Sequence, residues 1–160
     1  MRPRLCLTLA ALLLCQHALS AAKEISKPNF IVINIDDLGY ADVGPFGSTL
    51  NRTPHLDRMA KEGRRLTSFY AAPVCSPSRA SLMTGCYPKR VLTIPGVLFP
   101  GNDVGLAPGE VTVAELLQQQ GYVTGCIGKW HLGDQPEFLP TRQGFDYGSY
   151  GDPGRCFNQG

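Results

Sequence analysis

The amino-acid sequence predicts an α/β fold in which a mostly parallel central sheet is flanked by helices. Three observations carry this expectation. Short apolar, β-branched runs alternate with stretches of helical spacing. The helix-like stretches begin and end on recognisable cap residues. An acidic pair and a Lys-Trp-His cluster each follow an apolar run directly, which is where open parallel sheets gather their ligands.

The first run is Asn29-Phe-Ile-Val-Ile-Asn-Ile35, with the continuous apolar character of a buried strand. Thr53 and Pro54 then read as N-cap and first helical residue. Leu56, Met59 and Ala60 fall on one face, and Gly63 closes the helix. Leu66 to Ala71 is expected to form a second strand, and Ser76 to Thr84 a turn passing into a helix. Between Pro88 and Pro108 the density of Pro and Gly predicts irregular chain. Thr112 and Glu115 have capping-box spacing ahead of Leu116 and Leu117, with Gly121 at the helix end. Tyr122 to Ile127 is the third expected strand, running into Gly128-Lys129-Trp130-His131.

At 160 residues, 43% hydrophobic and 18% charged, the chain suffices for one domain with a core and falls short of two. Eighteen Gly and thirteen Pro make it loop-rich without a fibrous period, and the apolar content argues against wholesale disorder. A formal net charge of +2 lacks the electrostatic footprint of a nucleic-acid binder, and no such partner is expected. Residues 1–20 read as a secretory signal: Arg2 and Arg4, an apolar run from Leu5 to Cys15, then Ala18-Leu19-Ser20 at a cleavage point. The run is shorter than the ~20 residues of a membrane span, so no stable span is expected. Leu13-Leu14 ahead of Cys15 lack the small residues of a lipoprotein anchor.

Removing the signal leaves Cys75, Cys86, Cys126 and Cys156. In an oxidising compartment these could form two disulfides, with three pairings open. None sits in a CxxC, which argues against structural zinc or a thioredoxin-like site. Asn51-Arg52-Thr53 is a glycosylation sequon, but Pro54 follows it and Thr53 is assigned to capping, so occupancy is not expected.

Three clusters bear chemistry. Asp36-Asp37 sets two carboxylates side by side. They repel unless water or a cation neutralises them, and hard oxygen ligands favour calcium or magnesium over zinc. An Asp-capped turn facing solvent explains the same dipeptide. Cys75-Ser76-Pro77-Ser78-Arg79 places a cysteine just before a helix N-terminus with Arg79 one turn on, and dipole and cation both favour negative charge there. A half-cystine beside a Pro-Ser turn is the alternative. Gly128-Lys129-Trp130-His131-Leu132-Gly133 sets Lys129 and His131 on one side if the segment is extended. That would clamp a tetrahedral dianion, with His131 able to move a proton. A strand-end turn with an exposed Lys explains it equally.

In this order the three clusters resemble the N-terminal part of the type I sulfatases of the alkaline phosphatase-like superfamily, and among them the arylsulfatase A-like members. Cys75-x-Pro77-x-Arg79 is similar to the family's signature for oxidation of cysteine to formylglycine (3-oxoalanine). Lys27-Pro28-Asn29, Thr53-Pro54-His55-Leu56-Asp57, Leu82-Met83-Thr84-Gly85 and Gln143-Gly144-Phe145-Asp146 extend the resemblance over Lys27 to Tyr147. It implies a sulfuric ester hydrolase acting on an aryl or glycan sulfate ester. Cys75, converted by a formylglycine-generating enzyme, would be hydrated to a gem-diol. One hydroxyl attacks sulfur, and the other expels sulfate by re-forming the aldehyde. The resemblance further implies that Asp36, Asp37 and the modified Cys75 hold a divalent cation, calcium or alternatively magnesium. Arg79 would stabilise the developing alkoxide, Lys129 the sulfate charge, and His131 the regenerating gem-diol. Ser149 would contact substrate, and Asp42, Arg58 and Trp130 would be structural. The implied destination is the secretory pathway: periplasmic or extracellular in a bacterium, lysosomal in a eukaryote.

Sulfatases are several times longer, and their second half supplies an Asp-Asn metal pair, another His and another Lys. No histidine follows His131 here. The expectation is therefore an N-terminal part of a sulfatase domain over residues 27–147, a divergent tail over 148–160, and a fold incomplete at its C-terminal side. Such a chain should bind calcium poorly, because Asp36 and Asp37 leave most of about 6–8 oxygen ligands unfilled. Three other readings stay open. One is a phosphonate or phosphodiester hydrolase of the same superfamily, and another a truncated secreted domain without turnover. The last is a thiol hydrolase using Cys75 and His131, which would leave Arg79 and Asp36-Asp37 without roles.

Overall fold

The structure, a computed structural model, describes residues 27–94 and 96–149. The expected signal, Cys15, Cys156 and most of the tail from 148 to 160 lie outside the described residues. The chain divides into two units, Met1–Ile35 and Asp36–Gly160.

In the first unit, residues 27–35 form no helix or strand, and Phe30, Ile31, Val32, Ile33 and Ile35 are exposed. The buried strand expected over Asn29 to Ile35 is not formed. β-Branched composition favours extended backbone, but a strand exists only through a hydrogen-bonded neighbour. The sheet among the described residues does not include this run.

The second unit opens with two 3-10 turns, Tyr40–Asp42 and Gly44–Phe46. Helix α1 spans Pro54–Glu62. Pro54 starts it as expected, and the Gly63 amide closes it on the Met59 carbonyl at 2.8 Å. Thr53 stands at the N-cap position without capping: its hydroxyl oxygen accepts the Gly44 amide at 2.8 Å. Leu56 and Ala60 are half-buried, whereas Met59 is exposed. The strand expected over Leu66 to Ala71 is also absent, and Leu66, Phe69 and Tyr70 are exposed. The reason is again the lack of a pairing neighbour.

Helix α2 covers Cys75–Thr84, with Val74 as N-cap and Gly85 closing it at φ +69°. That left-handed backbone suits glycine. Ser76, Pro77 and Ala80 are its buried residues. The stretch expected to be irregular contains one short helix, α3 (Pro88–Val91), because Pro88 is pre-set for a first helical turn. Helix α4 (Val113–Gln119) carries the expected capping box. The Glu115 amide donates to Thr112 Oγ1 at 3.2 Å, and the Thr112 amide donates to Glu115 Oε2 at 2.7 Å.

Strand β1 is Gly125–Ile127 and pairs in parallel with β2, Tyr147–Ser149, in the register Gly125↔Tyr147, Cys126↔Gly148, Ile127↔Ser149. This is the parallel pairing expected, although the sheet among the described residues has two strands. β1 starts three residues later than the expected Tyr122, because Thr124 is engaged by Asp146 before the ladder begins. The Thr124 amide and hydroxyl donate to Asp146 Oδ2 at 2.8 and 3.0 Å, and Gln118 Nε2 donates to Oδ1 at 2.7 Å. The Thr124 hydrogen bonds, backbone first, hold the Asp146 carboxyl below its ordinary value.

The core gathers Ala80 of α2, Val91 and Leu92 at the end of α3, Leu98, Leu106, Trp130 and Leu132. It therefore lies directly behind the Lys129–His131 segment. Trp130 donates its indole N–H to the Phe138 carbonyl at 2.9 Å and meets Phe145 edge-on, centroids 5.9 Å apart. Gly144 has φ +86°, and a Cβ there would lie 2.4 Å from the Glu115 amide nitrogen. Backbone strain and clash act together, so Gly144→Ala is expected to lower the unfolding free energy by ~3 kcal/mol. Urea unfolding followed by circular dichroism measures it.

Cys75, Cys86 and Cys126 are free thiols. Each complete pairing of four cysteines needs one bond among these three, so no two-disulfide framework is formed. Burial pushes the Cys126 thiol up, partly offset by the charge of Arg79. Among the described residues no helix is long and apolar enough to cross a membrane.

Candidate active site

Cys75 is the first residue of α2, after Val74 in extended conformation (φ −137°, ψ 165°). Pro77 lies within the first turn, where its missing N–H has no helical partner to lose. Arg79 follows one turn on, so its side chain returns to the same end of the helix. Lys129 arrives from the turn after β1: Gly128 has φ +94°, and its amide donates to the Ser149 carbonyl at 2.8 Å.

These segments meet at Asp36. Lys129 Nζ donates to Cys75 Sγ at 3.2 Å and pairs with Asp36 Oδ2. Arg79 Nη2 pairs with Asp36 Oδ1 at 3.5 Å, while Nη1 donates to the Lys129 carbonyl. The Arg79 and Lys129 side chains are 11% and 16% exposed and Asp36 37%, so the cations are packed and the carboxylate is the open side. The Lys129 hydrogen bond, opposed by burial and aided by the Lys129 and Arg79 charges, holds the Asp36 carboxyl below its ordinary value. Burial alone would pull the Lys129 ammonium down, but Asp36 and Cys75 outweigh it and raise it. Two cations around one carboxylate leave a net positive site beside Cys75, suited to an anionic group.

His131 is placed differently from the sequence expectation. Its φ is +58°, so the segment is not extended, and the intervening Trp130 is buried. Lys129 reaches Cys75, whereas His131 Nε2 sits 2.7 Å from the Leu98 carbonyl. With Nε2–H donating there, Nδ1 carries the lone pair; it is buried without a hydrogen-bond partner among the described residues. Burial lowers the His131 pKa, the Leu98 hydrogen bond opposes this, and the Lys129 and Arg79 charges lower it further. An NMR titration is expected to show His131 below its ordinary value of 6.5. The unfolded chain then binds the extra proton, so this group's contribution to stability is complete above the unfolded pKa. It is lost as pH falls through and below that value.

Asp37 stays apart: it has φ +54°, is exposed, and makes no hydrogen bond to the cluster. Ser149 ends β2, and its carbonyl holds Gly128, but no hydrogen bond joins it to Cys75 or Lys129. Asp42 accepts the Gly39 amide at 2.7 Å, and Arg58 pairs with Glu62 on the surface of α1. Sequence reasoning missed Ser76 and Leu98. Ser76 is fully buried and accepts the Leu98 amide at 3.1 Å, which fixes the carbonyl that holds His131. The only sequence signal was the place of Ser76 inside the Cys-Ser-Pro-Ser-Arg cluster. Among the described residues no group of three or more His, Cys, Asp or Glu is disposed to hold a metal ion. Asp36 meets Cys75 through Lys129, and no hydrogen bond joins Asp37 to either.

The Sulfatase family model matches residues 28–155. Arylsulfatase A of Homo sapiens is 50% identical over 132 residues, covering 80% of this chain and 26% of that protein. Steryl-sulfatase of Rattus norvegicus is 49% identical over 151 residues, 86% of this chain and 26% of that protein. A crystal structure of PsFucS1 sulfatase from Pseudoalteromonas sp. aligns with a TM-score of 0.69 at 39% identity, over 92% of this chain and 30% of that one. The chain thus spans about a quarter of the length of these curated relatives.

Proposed function

Because the chain belongs to the sulfatase family, we propose that it is the N-terminal, nucleophile-bearing part of a sulfuric ester hydrolase of the arylsulfatase kind. The observation that carries this reading is the Lys129 ammonium 3.2 Å from Cys75 Sγ, braced by Arg79 at the start of α2. Cys75 fits conversion to formylglycine: it is a free, part-buried thiol beside a cation. As formylglycine it would supply the hydrated aldehyde whose oxygen attacks sulfur.

The chain's own residues then have distinct tasks. Lys129 donates its ammonium to the sulfate oxygens nearest Cys75. Arg79 holds the Lys129 backbone in place and adds a second positive charge where negative charge develops. His131 lies within electrostatic reach of Lys129, Arg79 and Asp36. Its Nδ1 lone pair is the available proton acceptor, and the Leu98 carbonyl keeps Nε2 protonated. Ser149, at the carboxyl end of β2, contacts the bound ester. The family's cation, calcium or alternatively magnesium, would take carboxylate oxygens of Asp36 and Asp37 as hard ligands, and no step here depends on it.

The same reading makes a formylglycine-generating enzyme the maturation partner and the secretory pathway the route, lysosomal in a eukaryote and periplasmic or extracellular in a bacterium. Relatives named as sulfatases favour a sulfate ester, aryl or glycan, over a phosphonate. Mass spectrometry of the Cys75 peptide from the secreted gene product tests the reading, with aryl sulfate and aryl phosphonate hydrolysis assayed in parallel. An aldehyde at Cys75 together with preferential sulfate hydrolysis is expected. An unmodified thiol in active protein, or preference for phosphonate, overturns it.

A further inference from the structure

We infer that Ser76 and Asn102 are positioning residues for His131. They hold the Leu98 main chain from two sides, and the carbonyl so fixed leaves Nδ1 as the proton-accepting nitrogen of the ring. This role rests on the sulfatase reading only for the chemistry that His131 performs.

The Leu98 amide donates to Ser76 Oγ at 3.1 Å, and the Leu98 carbonyl meets His131 Nε2 at 2.7 Å. The next amide, that of Phe99, donates to Asn102 Oδ1 at 2.6 Å. The Asn102 amide returns to the Phe99 carbonyl at 3.1 Å. The peptide unit that carries the Leu98 carbonyl is therefore held at both ends, by His131 and by Asn102. The Leu98 side chain is packed in the core, so the residue has no room to swivel. A carbonyl oxygen only accepts, so the ring nitrogen facing it carries the hydrogen and Nδ1 keeps the lone pair. Among the described residues this is the ring's one hydrogen bond, since Nδ1 has no partner. His131 also sits at φ +58°, a backbone that a non-glycine residue keeps only where its surroundings hold it. Ser76 is fully buried and follows Cys75 directly, so the start of α2 and the His131 ring are tied through a single residue, Leu98. Without the Ser76 hydroxyl the Leu98 amide would be a buried donor left unpaired, and the segment would shift to recover a partner. Lys129, Arg79 and Asp36 are the charged groups that act on the ring, and neither Ser76 nor Asn102 alters them.

Long-range proton–nitrogen NMR spectra of the histidine-labelled chain, taken where the ring is neutral, read the tautomer without recourse to activity. The wild type is expected in the Nε2–H form. Ser76→Ala and Asn102→Ala are each expected to raise the Nδ1–H fraction roughly threefold or more, the worth of one weakened hydrogen bond. In the full-length gene product the same substitutions should lower kcat ~10-fold per aldehyde-bearing molecule, with KM changed less than about twofold. A merely structural contact would lower the urea midpoint and leave both the tautomer and kcat alone. A wild-type ring in the Nδ1–H form overturns the inference, as do folded variants that keep the wild-type tautomer ratio. Asn102 is half-buried in an exposed turn, so Asn102→Ala decides if Ser76→Ala fails to fold. A failed sulfatase reading shows itself separately, as an unmodified Cys75 in active protein, and leaves the tautomer ratios untouched.

Discussion

Cys75→Ala in the full-length gene product is expected to abolish sulfate ester hydrolysis, lowering kcat/KM by at least ~10^3-fold. The side chain lost is the one proposed to carry the nucleophile. The fold should tolerate the change, because Cys75 is only part-buried and opens a helix in which alanine is well accommodated. Unchanged circular dichroism with lost turnover is therefore the expected pair of results, and substantial residual turnover would refute the assignment. Lys129→Met gives the informative contrast. Its ammonium is proposed to act on substrate charge, so kcat should fall ~10^2-fold while the aldehyde at Cys75 is still detected by mass spectrometry. If Lys129 were merely a solvated turn residue, the substitution would leave kcat intact.

Trp130→Ala is expected to destabilise the chain by about 3–5 kcal/mol, the usual cost of removing a buried aromatic. Trp130 is 5% exposed, packs in the central cluster and spends its one donor on the Phe138 carbonyl. Trp130→Phe keeps part of the volume and leaves that carbonyl unpaired, for a smaller loss of about 1–2 kcal/mol. The difference between the two, read from urea midpoints, separates packing from hydrogen bonding. Because Trp130 stands between Lys129 and His131, its loss frees both side chains. Even a folded fraction of Trp130→Ala should show His131 titrating closer to its ordinary value. A loss under ~1 kcal/mol for Trp130→Ala would mean that the cluster behind the site is not the core.

What could be read from sequence divides along the range of the interaction concerned. Helices α1, α2 and α4 lie close to the bounds their sequence predicts, because Pro54, Gly63 and the Thr112–Glu115 box are local signals satisfied within a turn or two. The apolar runs at 29–35 and 66–71 carried an equally clear signal yet form no strands. Composition makes a run fit for a sheet, but a ladder needs a distant partner that no local pattern supplies. Among the described residues only Gly125–Ile127 finds one, in Tyr147–Ser149.

The site shows the same division. The sequence alone determined the three chemical clusters, their order, the family they announce and the cysteine at the helix start, since these depend on residue identity and short spacing. Only the tertiary structure decided how they meet. It brought Lys129 to Cys75 across 54 positions and turned Asp36 onto Lys129 and Arg79. It also sent His131 to the Leu98 carbonyl and left Asp37 outside. A left-handed residue between a buried tryptophan and a leucine core reverses where a side chain points, and spacing in sequence carries no trace of that reversal. The single α/β chain first suggested by length and pattern is thus a site assembled by long-range packing, in which the Asp36 carboxylate is paired with Lys129 and Arg79.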